Sequence, residues 1–327
     1  MIYYYLLTII SISTIIYLKL NNISKLVNLY DFPNKERKFH RKPTPLVGGS
    51  IFIIFIALFN LFSMFYNIYI IDFYNQIIIT FAAFVFFIFG FVDDKYEINA
   101  FYKLTLQILL SFFFIYLLRE NFLITKLNFL NFDFSINLNK YSLIFTAICL
   151  VIFLNAFNMY DGINGQAAIY ASFIFFVLIF KGVEVYFCLG ILLFSILFLI
   201  LNLQGKTFLG DNGVFLISFV ISLLIIKAYK LNTIYVDEIF LLMILPGVDM
   251  LRLFITRSFQ KKSPFFSDRQ HLHHYLLNKF DNTKSVIFIS LLSISPFLFS
   301  ILTNTVFSIF VFIIFYFFCI YYYSKKS

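Results

Sequence analysis

Long apolar runs alternate along this chain with short polar segments. The runs are about 16 to 22 residues each, near the roughly 20 residues that a helix needs to cross a bilayer. None shows the alternating ten-residue strands of a membrane β-barrel. Eleven runs can be marked, at about 2–18, 47–66, 75–92, 103–118, 141–156, 166–181, 185–203, 212–229, 237–256, 285–303 and 305–323. The pattern predicts an all-α integral membrane protein, a polytopic bundle of about eleven transmembrane helices. The close pairs 166–203 and 285–323 are the places where the count is easiest to mistake. No polar segment is long enough to fold alone and no internal repeat is visible, so 1–327 reads as a single multi-span domain. The first run has no basic stretch before it and no small-residue cleavage site after it, and is expected to be a retained span.

Composition leaves this picture unchanged. Hydrophobic residues make up 61% of the chain and charged residues 13%, where a soluble domain averages about 25% charged. The 50 Phe, with abundant Ile, Asn and Lys, read as a compositional bias. Cys149, Cys188 and Cys319 lie far apart in apolar runs, which supports neither a zinc site nor a disulfide framework.

Charge adds an orientation. Eleven spans put the two termini on opposite sides. The segments on the side reached after the first span hold all but six of the 25 Lys and Arg; the six are Arg119, Lys126, Lys140, Lys181, Lys227 and Lys230. Basic loops stay cytoplasmic, so the N-terminus is expected outside and the C-terminus in the cytoplasm. The net charge of +9 then reads first as topology and second as an anion-facing surface. Nothing resembles a soluble basic domain, so no nucleic-acid partner is expected.

The polar clusters all fall on that same side. Asp93-Asp94-Lys95 ends the third run. A charge at bilayer depth costs about 2.5–3.5 kcal/mol on insertion scales, so two adjacent carboxylates call for partners or a hard cation such as Mg²⁺. A solvated cap between spans is the plain alternative. Lys103 and Gln107 share one helix face ten residues on; Lys103 is either a snorkelling anchor or a phosphate contact. Asn155, Asn158 and Asp161 form a polar stripe that runs into Gly162 and Gly165. A glycine cap explains Gly162 but not the two amides. Gly210-Asp211-Asn212-Gly213 opens the eighth run, a position suited to an anion or a metal-bound phosphate. Arg269, His271, His273 and His274 end the longest loop on this side, and a mix of Arg, Lys and His fits a pyrophosphate better than zinc. The fourth histidine, His40, lies in another basic loop. Asp249, near Pro246 and Gly247 inside the ninth span, has no assigned role.

In order, the stretches 40–50, 93–107, 155–168, 210–213 and 263–274 resemble the polyprenyl-phosphate N-acetylhexosamine-1-phosphate transferases of glycosyltransferase family 4. The His-x-His-His ending is similar to the branch that starts O-antigen, enterobacterial common antigen or teichoic acid lipids. The resemblance implies transfer of N-acetylhexosamine 1-phosphate, GlcNAc 1-phosphate above all, from a UDP-sugar to undecaprenyl phosphate with release of UMP. It implies Mg²⁺, with Mn²⁺ as a substitute, and a multi-pass place in the bacterial cytoplasmic membrane with the site facing the cytoplasm. A homodimer is compatible with it.

By the same resemblance Asp94 and Asp211 hold the metal, Asp93 meets the lipid phosphate, and Asn158 and Asp161 help hold the nucleotide or metal. Asn155, Lys103, Arg269, His271, His273 and His274 bind phosphates and donor. Direct attack is favoured over an aspartyl intermediate, since a phosphate needs little activation near neutral pH. Val214, Ser218 and Lys95 stand where the family usually has Ser, Gly and Arg.

The rivals are a lipid-linked-sugar transporter, which should carry ionisable groups near the midplane and repeat symmetry, and a CDP-alcohol phosphotransferase, whose further aspartates are missing. The same reaction on phospho-MurNAc-pentapeptide is the nearest alternative.

Overall fold

The computed structural model of the protein describes residues 2–33, 42–263 and 269–325. The helices are α1 (Ile2–Val27), α2 (Gly48–Tyr66), α3 (Phe73–Tyr96), α4 (Ala100–Leu117), the short α5 (Arg119–Phe122), α6 (Ser142–Tyr160), α7 (Gln166–Phe180), α8 (Val185–Leu203), α9 (Gly210–Lys230), α10 (Val236–Phe259), the short α11 (Leu272–Leu277), α12 (Asn282–Leu302) and α13 (Thr305–Ser324). Two antiparallel pairs complete the order: β1 (Tyr30–Asp31) with β2 (Thr44–Pro45), and β3 (Lys126–Phe129) with β4 (Phe132–Asn137).

Among the described residues, ten helices are long and apolar enough to cross a membrane; α7, with 15 residues, falls short of that length. Its two ends nevertheless lie at the levels of its neighbours' ends. Gly165, just before α7, donates its N–H to Asn202 Oδ1 near the end of α8 (2.5 Å). Lys181, just after α7, pairs with Glu238 at the start of α10 (2.9 Å). The eleven apolar runs of the sequence therefore correspond to eleven helices that alternate between two faces of the bundle.

Local signals set many of the helix ends. Asp72 accepts the N–H of Asn75 to open α3 (2.8 Å), and Asn304 does the same for Phe307 at α13 (2.7 Å). A side-chain oxygen there satisfies one of the orphan amides of a first turn. Asn67 and Glu97, both left-handed (φ 53° and 50°), close α2 and α3.

The core is organised around α9, which is buried along almost its whole length. Its closest partner is α3, joined by stacked rings: Phe86 on Phe219 (4.6 Å between centroids) and Phe89 on Phe215 (5.2 Å). The approach is closest at Gly90, where a Cβ would lie 2.2 Å from the Asp211 carbonyl oxygen. Any side chain there would push the start of α9 away from the end of α3.

One face gathers the ends of α3 and α6, the starts of α4 and α9, and the β1–β2 pair. Pro45 O accepts from Phe208 N (3.0 Å), and Phe208 O accepts from Gly48 N (3.1 Å). The other face carries the β3–β4 hairpin, tied down by Tyr229 (Asn128 N to Tyr229 Oη, 2.8 Å) and by Asp237 (Leu130 N to Oδ1, 3.0 Å). Lys227 joins Glu184 and the Ile70 carbonyl there. The faces that the charge pattern separates are thus the two ends of the bundle, and ten membrane-length apolar helices make this a multi-pass membrane protein.

Candidate active site

Adjacent residues of a helix point about 100° apart, so Asp93 and Asp94 turn to different partners. Asp94 faces the start of α9. Its Oδ1 accepts the Asp211 N–H (2.8 Å), and its Oδ2 accepts both the Asn212 N–H (3.0 Å) and the Asn212 side-chain amide (2.6 Å). The residue preceding α9, Leu209, caps nothing with its side chain. A carboxylate from α3 therefore does for α9 what a local Ser or Asp does elsewhere, in the positive field of the helix N-terminus.

Asp93 accepts the Ile98 N–H through Oδ1 (2.9 Å), and its Oδ2 lies 2.5 Å from Lys103 Nζ. Lys103 also reaches Asp211 Oδ2 (2.9 Å) and lies over the Phe215 ring (4.9 Å to its centroid). Asn158 completes the group: its amide nitrogen donates to Asp211 Oδ1 (3.0 Å) and its oxygen accepts from Lys103 (3.2 Å). The electrostatic cost that the two aspartates raise is thus offset by a lysine from α4 and a helix N-terminus. Asn155 sits one turn deeper and donates to Gln107 Oε1 (2.7 Å), which ties α6 to α4.

Asp161 differs from the other three aspartates. Among the described residues none donates a hydrogen bond to its carboxylate. Burial, with the Asp94 charge adding to it, pushes its carboxyl up to about 7. It is the aspartate with the most unused oxygen capacity.

The histidine loop closes over this group. A Cβ on Gly162 would lie 2.1 Å from His273 Nε2, so the ring rests on the glycine beside Asp161. His271 and His273 stack (5.0 Å, 14°), and His274 lies 4.3 Å from His273, centroid to centroid. Burial, followed by the neighbouring His274 and His271, drives the His273 pKa well below its usual value, so the ring is neutral. Arg269 is exposed at the edge of the loop. His40 and the stretch 264–268 lie outside the described residues.

Sequence reasoning left one residue without a role that the structure ties to the loop. Asp249 of α10 holds His271 Nδ1 (2.9 Å), Arg252 (2.9 Å) and Tyr316 Oη (2.6 Å). The Asp249–Arg252 spacing of i, i+3 was a readable ion-pair signal. Tyr316, in the most aromatic run of the chain, carried no signal at all.

Among the described residues no three His, Cys, Asp or Glu side chains converge on one point. Mg²⁺ is commonly held by one or two carboxylates together with substrate phosphates and waters, and does not require such a cluster. The donors here are hard oxygens, and the Asp211 side chain keeps 25% exposure. Of the roughly four lone-pair sites on a carboxylate, Asp94 has three occupied. The residues present fit a magnesium ion with few protein ligands.

A bundle of membrane helices that gathers four aspartates, a lysine, two asparagines and a histidine loop at one end has the parts of a membrane phosphate-chemistry enzyme. Residues 76–229 match the model of Glycosyl transferase family 4. An Escherichia coli (strain K12) undecaprenyl-phosphate alpha-N-acetylglucosaminyl 1-phosphate transferase is 26% identical over 304 residues, 88% of this chain and 79% of the relative. A Bacillus subtilis (strain 168) protein, described as a probable undecaprenyl-phosphate N-acetylglucosaminyl 1-phosphate transferase, is 28% identical over 282 residues, 83% and 75% of the two chains. The undecaprenyl-phosphate alpha-N-acetylglucosaminyl 1-phosphate transferase of Yersinia pestis is 26% identical over 282 residues, 81% of this chain and 74% of the relative.

Proposed function

We propose that this protein transfers an N-acetylhexosamine 1-phosphate, GlcNAc 1-phosphate first among them, from its UDP conjugate to undecaprenyl phosphate. An oxygen of the lipid phosphate attacks the β-phosphorus of the UDP-sugar, the bond to the bridging oxygen breaks, and UMP leaves. The observation that carries this reading is the convergence of Asp93, Asp94, Asp211, Asn158 and Lys103 at one end of the bundle, with the His273 ring resting beside Asp161. The named relatives support it over most of the chain. A transporter would place its charged groups near the midplane, and these lie at the helix ends.

Both reactants are anions, so positioning and charge neutralisation are the chemical problem. Lys103 sits between Asp93 and Asp211 and is placed to meet phosphate oxygens. Asp93, at the end of α3, is the group assigned to the lipid phosphate, where it orients the attacking oxygen and needs to remove no more than one proton. Asp211, Asp161 and the remaining site on Asp94 are the oxygens that would hold Mg²⁺, which supplies charge neutralisation for the diphosphate. Asn158 keeps Asp211 in place. His271, His273, His274 and Arg269 are assigned to the donor phosphates, with a neutral His273 as a hydrogen-bond partner. The basic loops share this face, which supports a site that opens to the cytoplasm of a bacterial inner membrane.

UMP release from a panel of UDP-sugars, with and without undecaprenyl phosphate and Mg²⁺, tests the proposal. Release with UDP-GlcNAc that needs both the lipid and the metal is expected. Release independent of the lipid would identify a hydrolase instead.

A further inference from the structure

We propose that Asp249 is a positioning residue that fixes His271 with a proton on Nδ1 and so leaves Nε2 facing the donor phosphates, to which it donates once it takes up the second ring proton. The phosphate role of His271 comes from the transferase reading above; the pairing itself comes from the geometry.

Asp249 is 8% exposed, and a carboxylate at that depth must be paired. Its two oxygens divide their partners. Oδ1 accepts from Arg252 Nη2 (2.9 Å) and from Tyr316 Oη (2.6 Å). Oδ2 lies 2.9 Å from His271 Nδ1. A carboxylate that already takes two donors on one oxygen is ionised and accepts only, so the facing nitrogen is the one that carries hydrogen. The second ring nitrogen then points away from Asp249. Such an orienting partner selects the tautomer of a working histidine in many sites.

The backbone is held by the same group. Arg252 Nη2 also donates to the carbonyl of Gln270 (2.6 Å), the residue just before His271, and Arg252 Nε donates to Tyr316 Oη (2.8 Å). Ring and backbone of His271 are therefore both set by α10 and α13. The consequence reaches the aspartates. The His271 ring stacks on His273, and the His273 ring rests on Gly162, next to Asp161. A simple strut between α10 and α13 would need Arg252, Tyr316 and Asp249 Oδ1 alone. It would leave Oδ2 and the tautomer of His271 without a purpose.

The experiment uses the full chain in detergent or nanodiscs. With only four histidines, selective nitrogen-15 labelling resolves the individual rings. One ring should show an Nδ1-protonated tautomer in the wild type, and its signal should vanish in His271→Gln. It should become a tautomer mixture in Asp249→Asn and stay unchanged in Tyr316→Phe. In UMP release, Asp249→Asn should lower kcat about 10- to 100-fold, the usual cost of losing an orienting partner. The Asp249→Asn/His271→Gln pair should be no slower than His271→Gln alone. An unaltered tautomer in a folded Asp249→Asn protein, or multiplicative losses in the pair, would overturn the proposal. If the wild type releases no UMP from any donor, the transferase reading fails, and the tautomer spectra still decide the role of Asp249.

Discussion

Replacing Asp94 with asparagine changes almost no volume, yet it strikes the contact that joins α3 to α9. The carboxylate accepts three hydrogen bonds, two of them from the first amides of α9. An asparagine placed with its oxygen at Oδ2 keeps the two bonds from Asn212 and turns an NH₂ against the N–H of Asp211. The losses are one charge-assisted bond, an unpaired amide and the favourable field of the helix N-terminus. Relief of repulsion from Asp93 and Asp161 offsets part of them. The net expectation is a destabilisation of about 2–4 kcal/mol. Asp93→Asn is the internal control. Its oxygen can still accept from Ile98, and Lys103, which loses the buried Asp93 charge, keeps Asp211 and Asn158 as partners, so the loss is smaller than that of the cap. Thermal unfolding of the two purified variants, without substrate, should show a clear fall in midpoint for Asp94→Asn and a small one for Asp93→Asn. Equal midpoints for Asp94→Asn and wild type, with activity lost, would refute the capping role and leave Asp94 a purely chemical one.

Asp211→Asn should abolish UMP release and its response to added Mg²⁺ together, and activity that persists in EDTA would remove the metal from the reading. Gly162→Ala should displace the His273 ring, because the new methyl would lie 2.1 Å from Nε2; steady-state kinetics should show a raised KM for the UDP-sugar and a reduced kcat. His273 is held neutral in the folded protein, with a pKa well below the roughly 6.5 of a free histidine. Its stability contribution is therefore fully present above about pH 6.5 and is lost as pH falls below it, because the unfolded chain takes up the proton first. The Asp161 carboxyl, pushed up to about 7, works in the opposite direction over the same range, so the readout is a difference: the margin in thermal midpoint of the wild type over His273→Asn should shrink on acidification from pH 7 to 5.

The hydrophobic pattern by itself determined the helical bundle. A run of apolar residues about as long as a bilayer is thick leaves the backbone no option but to bond within its own helix, and all eleven marked runs became helices, ten of them within about four residues of their expected bounds, while α1 runs on to Val27, nine residues past its expected end. The parity of the spans also placed the polar clusters at one end, and Asp93, Asp94, Lys103, Asn158 and Asp211 do meet there. Their division of labour was not legible. Adjacent aspartates look equivalent in a sequence, and only the rotation of α3 against α9 assigns one to a helix N-terminus and the other to Lys103. That rotation depends on Gly90 and on the stacked Phe86–Phe219 and Phe89–Phe215 pairs, contacts between residues more than a hundred positions apart. Phenylalanines that read as compositional bias are in this seam specific packing. Asp249 shows the same limit. An acidic residue inside an apolar span announces that it must have partners, but which partners is decided by where α10, α11 and α13 cross. Local composition dictates what each segment must become; long-range packing decides which polar atoms then face one another, because that depends on helix rotation to within a fraction of a turn.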